Sequence, residues 1–108
     1  MLQGCELYGV TIRISPTWAR YIGEKIWHES QRIQKLIDGG IEISFKVAGL
    51  DEIRQWVLSL GPEAVVVEPA DLKVLVWKNL KETLEQYSGI DEGRVDSVVM
   101  DMQPRYAG

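Results

Sequence analysis

An α+β fold with a four-stranded antiparallel sheet is the expectation, and three observations predict it. Val10, Ile12 and Ile14, and again Ile41, Ile43, Phe45 and Val47, alternate with polar residues, the period of strands that bury one face. Ile53, Trp56, Val57 and Leu60 fall at i, i+3, i+4 and i+7, the period of a helix packed along one side. Asp38-Gly39-Gly40 separates two strand patterns with residues that tolerate the positive φ of a tight hairpin.

Taken in order, the first strand passes through Val10, Ile12 and Ile14. Ser15-Pro16 follows as an N-cap hydroxyl and a first-turn proline, and the helix presents Trp18, Ile22 and Ile26 as an apolar stripe. From Ser30 to Ile37, Ile33 and Ile37 share a face with Gln31 and Lys35, a mixture suited to an edge strand. The third strand runs from Ile41 to Val47. The second helix begins at Asp51, whose carboxylate is expected to cap it, and stops at Gly61-Pro62. Val65-Val66-Val67 is a short β-branched strand ended by Pro69, and a third helix is expected from about Asp71 to Tyr87. Strand, helix, strand, strand, helix, strand forms two interleaved right-handed units, the ferredoxin-like βαββαβ arrangement with both helices on one face, plus the extra C-terminal helix. Residues 1–88 are one domain. In the tail, 89–108, Val98, Met100 and Met102 alternate with Val99, Asp101 and Gln103. That leaves two readings open, a strand added to a sheet edge in a neighbouring molecule or a polar tail.

At 108 residues the chain buries a core without staples. Acidic residues outnumber basic ones, 16 to 12, for a formal net charge of −4, which repels phosphate backbones unless the cations cluster. A single cysteine, Cys5, forms no internal disulfide. No apolar run is long enough for a membrane helix, and a cytoplasmic location is expected. The strand pattern begins so near Met1 that an excised C-terminal piece of a longer protein is expected.

With these parts in place, the chain resembles the C-terminal extension, or WCX, domain of WYL-domain bacterial transcriptional regulators. The likeness spans about residues 8–88. It rests on Trp27-His28-Glu29-Ser30-Gln31, Asp38-Gly39, Trp56 through Gly61, Val67-Glu68-Pro69 and Leu72. The resemblance implies a parent with a winged helix-turn-helix, a small β-barrel carrying a Trp-Tyr-Leu motif, and this domain as a module for dimerisation and signal transmission. The expected partners are a second copy and those N-terminal domains. This chain has no Trp-Tyr-Leu tripeptide and no helix-turn-helix pattern, so no sensor residue is carried over and direct binding of double-stranded DNA is not expected.

Candidate chemistry is sparse. His28-Glu29 lacks the second imidazole of a zinc site and reads as a helix-to-strand junction. Glu6 beside Cys5 disfavours a thiolate. Neither a phosphate-binding glycine loop nor a nucleophile elbow is present. No catalytic residue, metal or cofactor is expected. The open sheet face should show Thr11, Arg13, Arg32, Gln34, Glu42, Ser44, Lys46 and Glu68, which makes Arg13, Arg32 and Lys46 the candidate ligand-binding residues. That face has no aromatic residue to stack a base, which weighs against single-stranded nucleic acid. Arg13 and Lys46 are expected instead to pair with Glu68 and Glu42 across strands.

The third helix carries more apolar residues than one sheet contact requires: Leu72, Leu75, Val76, Leu80, Leu84 and Tyr87, with Val74 and Trp77 at the margin. Val74 and Trp77 are therefore the candidate interface residues, against the alternative that Trp77 packs locally. The functional expectation is a regulatory, effector-sensing or dimerisation domain. A small-molecule-binding module of the ACT kind is the alternative, disfavoured by the glycine-free turn Ser15-Pro16-Thr17.

Overall fold

The computed structural model of the chain describes residues 7–102; Cys5 and the last six residues of the tail lie outside them. The elements are β1 (Tyr8–Ile14), α1 (Pro16–Gly23), β2 (Arg32–Lys35), β3 (Ile41–Val47), α2 (Asp51–Ser59), a 3-10 turn (Gly61–Glu63), β4 (Ala64–Glu68), α3 (Ala70–Glu85) and α4 (Glu92–Asp101). The four strands form one antiparallel sheet in the order β2-β3-β1-β4.

The centre of the sheet is β1 against β3. Val10 lies opposite Phe45, Ile12 opposite Ile43 and Ile14 opposite Ile41. All six side chains are buried, and they share one core with Ala19 and Ile22 of α1, Ile53 and Val57 of α2, Ala64 and Val66 of β4, and Leu72 of α3. Both covering helices therefore lie on the same face. Each fully buried aliphatic side chain contributes about 1.5–3 kcal/mol of transfer free energy, so this cluster is the main source of stability.

β2 is an edge strand, exposed along its length, with Ile33 held beside Ile43 only by the β3 ladder. Its hairpin to β3 is closed by Leu36 N–H donating to Gly40 O (2.9 Å) and by the Asp38 carboxylate accepting from Gly40 N–H (2.8 Å). Gly39 takes φ +94°, and a Cβ on Gly40 would stand 2.5 Å from the Ile14 carbonyl oxygen. The hairpin thus lies directly on the end of β1, and the second glycine is required by that close approach.

Four expectations are corrected. Ser15 precedes α1 as foreseen, but its hydroxyl donates to the Glu63 carboxylate while Ser15 N–H donates to Glu63 O (2.9 Å), so it ties the end of β1 to the start of β4 and does not cap the helix. The buried face of α1 is Ala19 and Ile22; the helix ends at Gly23, which leaves Ile26 outside it and Trp18 partly exposed. Asp51 is the first residue of α2, not its cap, and its carboxylate meets Arg54 at 3.5 Å. The tail is helical rather than a strand: Asp91 caps α4 by accepting from Gly93 N–H (2.9 Å). Val95, Val98, Val99 and Met102 follow at i, i+3, i+4 and i+7, a period that the shorter Val98-Met100-Met102 alternation conceals.

Because Ile43 is central and fully buried, Ile43→Ala is expected to cost about 2–5 kcal/mol in urea unfolding. Thr11→Ala, on the open face of the same sheet, is expected to stay within about 1 kcal/mol. A comparable loss for the two would mean that the core is not where stability resides.

Candidate functional site

Between α1 and β2 the chain folds on itself. The Gln31 side-chain oxygen accepts from Trp27 N–H (2.7 Å) and His28 N–H (3.3 Å), and its amide donates to Lys25 O (2.8 Å). Ser30 N–H donates to His28 Nδ1 at 3.0 Å, and Lys46 N–H of β3 donates to Ser30 Oγ at 2.8 Å. Trp27 Nε1–H donates to Ile22 O at 2.8 Å. These bonds clamp Trp27-His28-Glu29-Ser30-Gln31 onto the last turn of α1 and the end of β3. One glutamine satisfies three backbone groups that a loop would otherwise leave to water.

The clamp positions a run of rings. Trp18 meets Tyr21 edge-on at 5.4 Å, Tyr21 meets Trp27 at 6.4 Å, Trp27 meets Trp56 of α2 at 5.4 Å, Trp56 meets Phe45 at 5.8 Å, and Phe45 meets His28 at 6.2 Å. Trp27, Trp56 and Phe45, with His28, Val47, Ile53 and Glu52, line an open cleft of about 250 Å³. No lysine or arginine lines it. Trp27 and Trp56 are only partly buried, one side on the core and the other on the cleft. This site was not anticipated from the sequence, where Trp56 read as part of a buried helix face and Trp27 only as part of the motif Trp27 to Gln31. The available signal was three large aromatics converging from a loop, a strand end and a helix on the same side of the sheet.

The open face of the sheet carries the foreseen residues but does not gather them. Thr11 and Ser44 share a hydrogen bond at 3.2 Å. Arg13 pairs with Glu42 at 3.5 Å, not with Glu68, and among the described residues Lys46 has no carboxylate within ion-pair distance. Register places Arg13 opposite Glu42, Arg32 opposite Ser44 and Lys46 opposite Gly9. The three cations thus occupy three successive rungs about 7 Å apart on three strands, with Glu42 among them, and do not converge on one anion. Shallow depressions there are lined by Arg32, Gln34, Glu42 and Ser44 and by Thr11, Arg32, Lys46 and Glu68.

On α3 only Leu72 is fully buried, and Val76 is partly so. Val74 and Trp77 are 62% and 61% exposed, and Lys81 Nζ lies 5.4 Å from the Trp77 ring. Trp77 is therefore outside the core, and Leu80, Leu84 and Tyr87 extend its exposed surface. α3 is attached to α2 through Arg54 Nη1, which donates to Asn79 Oδ1 at 2.6 Å. Val95, Val98 and Val99 of α4 and Met102 just after it are exposed as well.

His28 Nδ1 is occupied by Ser30, and Glu29 points to solvent. Among the described residues no group of three or more His, Cys, Asp or Glu side chains is placed to hold a metal ion, and no helix is long and apolar enough to cross a membrane.

The described residues thus present a cleft walled by aromatics, a polar sheet face and a helix with an uncovered apolar side. Residues 6–84 match the family model of the WCX domain, and the chain belongs to that family. No curated protein matches the sequence.

Gln31→Ala removes the acceptor for two backbone amides and is expected to cost about 1–3 kcal/mol. The Trp27 indole N–H should also exchange faster with solvent in hydrogen-exchange NMR. An unchanged rate would mean that the clamp does not hold Trp27.

Proposed function

We propose that this chain is the C-terminal regulatory domain of a WYL-type helix-turn-helix transcriptional regulator, a non-catalytic cytoplasmic module that senses an effector and holds subunits together. Family membership supports the regulatory context. The observation that carries the reading is the position of α2. One side of it walls the aromatic cleft through Glu52, Ile53 and Trp56, and another is bonded to α3, whose far side is uncovered.

The connectivity is read as ferredoxin-like. Its support is that β1-α1-β2 and β3-α2-β4 each skip one strand, β3 in the first unit and β1 in the second. On such a frame a ligand in the cleft favours one placement of α2. α3 follows through Arg54 and Asn79, and the subunits or the attached DNA-binding part adopt the arrangement that suits it. An ACT-like metabolic module remains the second reading on fold alone, but the turn after β1 carries no glycine and is closed by the Ser15–Glu63 bond.

The interface half of the proposal rests on Val74 and Trp77. Exposed aromatics are strong anchors in subunit contacts. Trp77→Ala is expected to raise the self-association constant for dissociation about tenfold, a loss of about 1.4 kcal/mol. The substitution should shift unfolding free energy by no more than about 0.5 kcal/mol, as for other surface changes. Sedimentation equilibrium paired with urea unfolding reads both quantities. A monomer at every concentration, or a loss of stability without a change in association, sinks this half. The coding sequence upstream of Met1 tests the context: a winged helix and a Trp-Tyr-Leu barrel support it, and a metabolic enzyme's catalytic domain overturns it.

A further inference from the structure

We infer that the cleft between Trp27, Phe45 and Trp56 is a binding site for a small organic cation, an alkylated ammonium group held against the ring faces with its charge toward Glu52.

Four observations lead there. The first is charge. Glu52 contributes the only ionised side chain of the lining and meets no lysine or arginine among the described residues, so the cleft has an unbalanced negative wall. The second is His28. Its Nδ1 is taken up by the Ser30 N–H at 3.0 Å, so that ring nitrogen is engaged within the loop and is not offered to an anion in the cleft.

The third is the shape of the aromatic wall. Trp27 and Trp56 lie tilted by 54° with centroids 5.4 Å apart, and Trp56 meets Phe45 edge to face at 5.8 Å, so the rings make one contiguous aromatic wall whose exposed surface comes from Trp27 and Trp56. Trp27 spends its indole N–H on Ile22 O, which leaves its π-face, not its donor, for a ligand. Ring faces carry negative electrostatic potential, and an exposed face with a carboxylate in the same cleft attracts a cation. The chain already makes this contact elsewhere: Lys25 Nζ lies 4.8 Å from the centroid of Tyr21, the ring next to Trp27 in the same run.

The fourth is size. A cleft of about 250 Å³ lies below the range of about 300–1,000 Å³ typical of drug-sized ligands. It suits a group of a few methyl-bearing carbons. A phosphate or carboxylate ligand is opposed by Glu52, and a neutral apolar one makes no use of it.

This inference adds a ligand class to the effector-sensing reading and rests on it only for its regulatory meaning; the binding itself is a property of the cleft. The test uses the 108-residue chain and two probes of matched shape, tetramethylammonium and the uncharged neopentyl alcohol. The indole N–H signals of all four tryptophans are followed by NMR titration. Trp27 and Trp56 are expected to shift saturably with tetramethylammonium, Trp77 on α3 is expected to stay still, and neopentyl alcohol should bind about tenfold more weakly. Glu52→Gln, an exposed substitution that leaves the rings in place, should weaken the cation severalfold without changing the thermal midpoint or the binding of the alcohol.

Equal affinity for the two probes, an unaffected Glu52→Gln variant, or the absence of saturable shifts at Trp27 and Trp56 each overturns the inference. None of these outcomes bears on self-association through α3, so the failure of the ligand class is distinguishable from the failure of the regulatory reading.

Discussion

The rest of the molecule depends on seven residue pairs between β1 and β3. These two strands occupy the middle of the sheet, and their inward residues Val10, Ile12, Ile14, Ile41, Ile43 and Phe45 all leave water on the same side. A one-residue slip of either strand would turn that strand's set outward, so register and burial fix each other. Once that face is chosen, α1 and α2 have one place to bury Ala19, Ile22, Ile53 and Val57. The opposite face stays polar, and the open edges fall to β2, which is short and carries Arg32 and Lys35, and to β4. Short, charged edges discourage pairing between molecules.

Strand alternation and helix period were legible because each reports a direct local constraint, the side on which a residue meets water. The edge position of β2 and the turn at Gly39 were readable for the same reason. The ends of elements were not. Ser15 and Asp51 are good capping residues by type, yet Ser15 is recruited by Glu63, 48 positions away, and Asp51 is displaced into the helix because Leu50 already turns the chain. A cap is decided by which acceptor or donor the fold brings near, and sequence spacing does not record that. The tail shows a second kind of ambiguity. Val98-Met100-Met102 fits period two over five residues, and Val95-Val98-Val99-Met102 fits the helical period over eight, and only the longer window discriminates.

The open-face cations were placed correctly on their strands but not in relation to each other. Alternation assigns Arg13, Arg32 and Lys46 to one face, whereas the pairing register sets their separation, and the register puts Glu42 beside Arg13. The aromatic cleft was missed for the opposite reason. Trp56 was placed on a buried helix face by its period, but rings as large as Trp27 and Trp56 are only partly buried against a core that is mostly aliphatic. Their outer faces then become the walls of a depression. The residues by which the chain resembles its family, Trp27 to Gln31 and Trp56 onward, are the ones that build this wall, so motifs that look purely architectural also set the shape of the surface.

α2 is where these features meet. It is nine residues long, too short to persist in water by itself, so its position is determined by what it touches. Ile53 and Val57 hold it to the sheet, Trp56 and Glu52 face the cleft, and Arg54 reaches Asn79 on α3. The first contact is broad and apolar and tolerates small slides. The Arg54–Asn79 bond is directional and is a single donor–acceptor pair. A displacement that the apolar contact accommodates therefore has to be followed by α3 or break that bond, and α3 is the element whose far side, from Val74 through Trp77 to Leu84, has nothing of its own chain against it. α2 thus joins the cleft to the exposed apolar side of α3, which is the arrangement a domain needs if events in a small cleft are to be felt at an interface.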